Sequence, residues 1–95
     1  MEICAINPDY QHLLEFLYNA DRKYCALVDK NQSKLDTLDP DSDKYYNAQE
    51  RFEDQEARQY DRFHERLELN PLPKREIDAF TKSYVAFHGY TPYLV

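Results

Sequence analysis

Apolar side chains recur at alternating spacings of four and three along Tyr10, Leu14, Leu17, Asp21, Tyr24, Val28, Asn31, Leu35 and Leu38. Only two of these positions, Asp21 and Asn31, are polar. Such spacing lines one side of an α-helix but would scatter over both faces of a strand. The stripe therefore calls for a long amphipathic helix that packs against another apolar surface. Leu13, Phe16, Ala20 and Leu27 widen it in the first half. The second half is narrower, which allows a break near 29–33. Unbroken, a helix over 8–36 spans roughly 43 Å at 1.5 Å per residue.

Turn chemistry sets the ends. Asn7 can cap, Pro8 fits the first helical position, and Asp9 suits the positive end of the helix dipole. Pro40 disfavours α geometry at Asp39, and Asp41 or Ser42 can cap a second helix over about 43–69. Its stripe is Tyr45, Ala48, Phe52, Glu56, Gln59 or Tyr60, Phe63 and Leu67. The middle, 53–59, is almost wholly polar and predicts weak packing or a partner. Pro71 and Pro73 end this helix. A third follows over about 74–88, with Ile77, Phe80, Tyr84 and Phe87 on one face and Gly89 at its C-terminal end. Residues 1–6 read as an extended arm or a single edge strand, and 90–95 as an extended apolar tail around Pro92. The expected fold is all-α and a single domain over 1–95: a long antiparallel helical hairpin turning at 38–43, with a shorter third helix folded back on it.

Composition agrees. Glycine occurs once in 95 residues, which disfavours β-hairpin networks and phosphate-cradling loops. Leu, Ile, Val and Phe make up only 21 residues, close to the level below which highly charged chains stay disordered. The nine tyrosines must complete the core, burying rings while their hydroxyls reach a wet edge. A lean core with a long stripe also predicts self-association as a homo-oligomer, a dimer in the simplest case. No run of about 18 apolar residues predicts a membrane span. The opening Met1-Glu2-Ile3-Cys4 has no basic stretch followed by an apolar one, so a secretory leader is not expected. Two cysteines in that setting read as free thiols, with a cytoplasmic location.

The charge is unevenly placed. Residues 36–56 carry eight acids (Asp36, Asp39, Asp41, Asp43, Glu50, Glu53, Asp54 and Glu56) against Lys44 and Arg51. That segment alone holds −6, the net charge of the whole chain. Tyr45, Tyr46 and Phe52 are interleaved with the acids. Tyr46 lies off the core stripe and is the aromatic best placed to meet a partner. Direct nucleic-acid binding is not expected, because such proteins more often show a basic face. Arg58, Arg62 and Arg66 do form a row. However, Asp54, Asp61 and Glu65 lie three or four residues away, and pairing would neutralise it.

Few patterns carry chemistry. The acids and amides of 39–50 match the ligand positions of a calcium-binding EF-hand loop: Asp39, Asp41, Asp43, the Tyr45 carbonyl, Asn47 and Glu50. Lys44 stands where that loop needs glycine, Pro40 is restrictive, and no second loop pairs with it. Asp61 and His64 have the spacing of two ligands on one helix face, but the other histidines, His12 and His88, lie on separate elements. Cys25 sits among Ala26, Leu27 and Val28 and reads as a buried thiol without a local base. No cofactor and no catalytic centre are expected.

Three function classes follow. The first is a non-enzymatic interaction protein (an inhibitor, adaptor or assembly factor) that binds the basic surface of a protein partner through the acidic, Tyr-rich 36–56 surface. The second is an acidic mimic that blocks a basic nucleic-acid-binding surface. In composition alone, a small, acidic, aromatic, glycine-poor helical chain resembles accessory inhibitors of phage and mobile elements. The third is a calcium-responsive protein using the 39–50 loop.

Overall fold

The computed structural model describes residues 2–95. It is all-α: a short 3-10 turn at Pro8–Tyr10 leads into α1 (Gln11–Leu35), followed by α2 (Asp43–Leu69) and α3 (Lys74–His88). α1 and α2 form the hairpin, and the body is flattened, 51 × 28 × 16 Å. Among the described residues there is no strand, and no helix is long and apolar enough to cross a membrane.

The capping signals act locally, as their chemistry requires. The Asn7 side chain accepts from the Asp9 amide at 3.0 Å, and Pro8 opens the 3-10 turn. At the start of α2 the Ser42 hydroxyl accepts from the Tyr45 amide at 3.2 Å. Gly89 closes α3 in the left-handed region at φ 80°, and its amide donates to the Val85 carbonyl. A side chain at Gly89 would meet no atom, so any cost there is backbone strain. α1 runs unbroken through 29–33, where a break had been allowed.

All nine stripe positions of α1 are buried or half-buried. Leu14 and Leu17 join Phe63 of α2, Phe80 and Tyr84 of α3, and Leu94 of the tail in one core. Phe16 and Phe63 stack at 5.8 Å across the hairpin. Of the nine tyrosines expected to complete this core, Tyr84 enters it and Tyr18 and Tyr24 pack against it, while Tyr46, Tyr60, Tyr90 and Tyr93 are exposed. Tyr84 is fully buried and meets Tyr18 edge-on at 6.0 Å and Tyr90 at 5.8 Å. Tyr24 bridges Tyr60 of α2 and Tyr93 of the tail, each at 6.2 Å.

One core assignment needs correction. Phe87, expected on the inward face of α3, is 63% exposed. In the last turn the packing passes from Tyr84 to His88, whose rings lie 4.4 Å apart. Phe87 shares the side of α3 that carries the buried Phe80, about 20° away at 100° per residue, but in the last turn that side is uncovered; His88 packs inward there, within reach of the Tyr18 hydroxyl at 3.2 Å. Burial, and then the positive charge of Arg22, lowers the His88 pKa.

The polar interruptions of the stripes are structural. Asp21 is fully buried and accepts three hydrogen bonds: from the Tyr84 hydroxyl at 2.6 Å, the Tyr93 amide at 2.7 Å and the Leu94 amide at 3.1 Å. It docks the C-terminal tail against α1, so Leu94 reaches the core. Burial, and then the bond to Asp21, raises the Tyr84 phenol pKa. Arg22 donates to the Tyr84 and Tyr90 hydroxyls, and these bonds hold its guanidinium charged. Asn31 and Glu56, the two gaps facing each other across the hairpin, join at 3.3 Å.

The N-terminal arm is tied down by the same kind of device. Glu76 of α3, fully buried, accepts from the amides of Ile6 at 3.0 Å and Asn7 at 2.8 Å. The Gln11 side chain brackets the arm further, accepting from the Ala5 amide and donating to the Ile3 carbonyl. The segment is thus an extended arm rather than a paired strand; Met1, which the sequence reading included in it, lies outside the described residues.

Candidate protein-interaction surface

The hairpin turn ends α1 at Leu35 and begins α2 at Asp43, leaving 36–42 as a tight connection. Backbone bonds from Thr37 to Lys34, Leu38 to Leu35 and Ser42 to Asp39 close it. Several predicted site residues are engaged here. Asp36 accepts from the Gln32 side chain at 2.9 Å. Asp39 accepts from the Asp41 amide at 3.0 Å, a side-chain turn that shapes the loop. Asp41 is exposed at the tip.

Beyond the turn, helical geometry sorts the acids. Asp43, Tyr46, Glu50 and Glu53 follow one another at spacings of three, four and three, so they share one face of α2. All four are exposed, Tyr46 at 58%. The Tyr46 ring stands edge-on to Tyr45 at 6.0 Å, and Tyr45 is half-buried on the core side. An exposed aromatic ring therefore stands among carboxylates that make no side-chain hydrogen bond among the described residues. Asp54 and Glu56 do not belong to this face. Asp54 pairs with Arg58 at 2.6 Å, and Glu56 turns inward to Asn31.

The 39–50 segment does not form a calcium loop. From Asp43 onward it is helix, so Asp43, Asn47 and Glu50 point along helix faces instead of converging on one centre. Among the described residues no group of three or more His, Cys, Asp or Glu side chains is placed to hold a metal ion. Cys25 is buried, with its thiol 3.8 Å from Asp29, and Cys4 is exposed; both are free.

The arginine row also departs from expectation. Of its proposed pairs, only Asp54–Arg58 forms among the described residues. Arg66 instead lies 4.0 Å over the Phe16 ring of α1, where a cation–π contact replaces an ion pair. Sequence reasoning missed two further features. Glu76 attracted no attention because an acid in a helix's first turn is ordinary. The four-residue face carrying Tyr46 was readable from spacing, but it was merged with every other acid of 36–56. Comparison of the chain with protein families, with curated proteins and with solved structures finds no match.

Proposed function

We propose that this chain is a non-enzymatic protein-interaction protein whose Asp43, Tyr46, Glu50 and Glu53 face docks on the basic surface of a protein partner, as an inhibitor, adaptor or assembly factor would. The observation that carries this reading is Tyr46, exposed beside Tyr45 and between carboxylates that make no side-chain hydrogen bond among the described residues. The fold uses its other central acids for itself: Asp21, Glu56 and Glu76 all accept hydrogen bonds from the chain. Acids on the surface steer a basic partner and set its orientation, and a central aromatic supplies affinity. The free thiols Cys4 and Cys25 support a cytoplasmic setting.

The test is capture of partners from a host lysate by the parent chain and by Glu50→Lys/Glu53→Lys and Tyr46→Ala variants. These positions are exposed, so helicity should be unchanged. Each variant is expected to lower association with the captured partner about tenfold or more, roughly 1.4 kcal/mol. Equal capture by parent and variants would remove this face as the interface.

We propose self-association as well. Leu69 is 82% exposed and Phe87 63%, large apolar surfaces for so lean a core. A symmetric dimer is the common way to cover such surface. Sedimentation is expected to show a species heavier than 11.4 kDa at micromolar concentrations. A lone 11.4 kDa species would dismiss the dimer while leaving the acidic face untouched.

A further inference from the structure

The opposite flank of the hairpin carries the opposite charge. A groove of about 790 Å³ runs between α1 and α2 over a floor that includes Phe16, Ala20, Leu27 and Phe63. Past Gln59 and Arg62 it continues into a second hollow of about 640 Å³ beside Phe52. Its α1 wall carries Lys23, Lys30 and Lys34; its α2 wall carries Arg51, Arg58, Arg62 and Arg66. All seven are exposed and no acid lines either part of the groove; one of them, Arg58, pairs with Asp54, which lies outside the lining. At 100° per residue the arginine wall and the Tyr46 face lie on opposite sides of the α2 core stripe. Seven of the twelve cations of an acidic chain are thus gathered along one trough.

We propose that this groove binds an acidic amphipathic α-helix of a partner protein. The bound helix lays its apolar stripe on the Phe16, Leu27 and Phe63 floor and its carboxylates between the two rows of cations. Charge complementarity along the whole groove favours this occupant. From Phe16 to Lys34 the α1 wall is roughly 27 Å long at 1.5 Å per residue, which is five turns of helix. Cations occur at both ends and the middle, so the matching negative charge must be spread along the ligand. A lipid with one anionic headgroup would need cations at one end only. No residue of α3 lines the groove, and among the described residues Leu94 of the tail is the one lining residue from outside the hairpin, so most of this side of the antiparallel pair is open and a third helix there completes a bundle. Ala20 and Ala26 are small enough to let that helix approach.

A nucleic acid fits less well. Outside the groove, five cations stand against eighteen acids, of which only Asp54 pairs with a groove cation among the described residues, so an extended polyanion meets repulsion as soon as it leaves the trough. Base stacking also needs free aromatic faces. Phe16 is already covered by Arg66 and stacked on Phe63. Phe52 lies under Lys34 at 5.9 Å and Arg51 at 5.6 Å. A patterned acidic helix needs no open ring face: its leucines pack on Ala20, Ala26, Leu27 and the ring edges of the floor, and its carboxylates reach the cations.

Fluorescence anisotropy with the full chain tests this. The probe is a labelled peptide of about 18 residues, with leucines at alternating spacings of three and four and glutamates on both flanks of that stripe. It is expected to bind, and a scrambled peptide of the same composition to bind at least tenfold more weakly. The Lys30→Glu/Arg62→Glu variant should weaken binding tenfold or more, and Ala26→Trp should block the floor to a similar degree. Both alter exposed positions, and circular dichroism checks that helicity is kept. Glu50→Lys/Glu53→Lys, on the other flank, should leave peptide affinity unchanged, which separates this groove from the Tyr46 face. Absence of peptide binding, equal affinity for the scrambled peptide, or no loss in the groove variants would overturn the proposal. Tighter binding of a single-stranded oligonucleotide or of palmitate than of the patterned peptide would overturn it too.

Discussion

Replacing Asp21 with alanine is expected to lower stability by about 3–5 kcal/mol. Hydrogen bonds to a charged acceptor contribute roughly 1.5–3 kcal/mol, and a buried donor left unpaired costs about 1–3 kcal/mol. Asp21 serves three donors from two parts of the chain: the Tyr84 hydroxyl of α3 and the tail amides of Tyr93 and Leu94. These terms share one anchor and do not add fully. Losing it also frees Leu94, which is 2% exposed in the core. Against a total stability of roughly 5–15 kcal/mol, the variant loses a large share. For a chain of this size the melting midpoint should fall on the order of 20 °C. Asp21→Asn keeps an acceptor for the two tail amides and should lose about half as much. Urea denaturation followed by circular dichroism measures both variants. An Asp21→Ala midpoint equal to the parent's would show that the tail is not held this way.

Glu76→Ala is expected to cost about 2–4 kcal/mol, with its damage confined to the other end of the chain. The side chain is fully buried in the first turn of α3 and accepts from the Ile6 and Asn7 amides. Alanine leaves both amides unpaired and removes a negative charge that favours the helix N-terminus. Hydrogen exchange gives the sharper reading. The Ile6 and Asn7 amides should lose protection while those of Leu17 and Phe63 keep it at reduced global stability. Glu76→Gln retains one acceptor oxygen and should hold one amide better than alanine does. Full protection of Ile6 and Asn7 in Glu76→Ala would contradict this account of the arm.

The helices were legible because their signals are local. Pro8, Ser42, Pro71, Pro73 and Gly89 act within a turn of where they stand, and the α1 stripe encodes its face over the helix's full length. Asp21, Asn31 and Glu56 could be singled out as gaps, but spacing could not say what would fill them. Their partners lie 25 to 73 residues away. Glu76 shows the same limit, since its donors are 69 and 70 residues distant and nothing nearby in sequence marks it. The basic flank was hidden for another reason. Spacings of three and four permit ion pairs, but Arg66 lies on Phe16 of the neighbouring helix and forms no ion pair among the described residues. The Tyr46 face was visible in principle, because Asp43, Tyr46, Glu50 and Glu53 keep helical spacing. Counting charge by segment averaged it away.

The way both chain ends are fastened bears on the order of assembly. The hairpin closes through a connection of seven residues and pays little loop entropy, so it can form early. Docking the arm on Glu76 and the tail on Asp21 each closes a loop of about seventy residues. Neither closure is rewarded until α3 is already seated on the hairpin. The two carboxylates therefore act late, as latches on a preassembled body. On that order, their loss is expected to speed opening of the finished molecule more than it slows its formation. A nascent chain holding only α1 and α2 would present both flanks of the hairpin before either latch has closed.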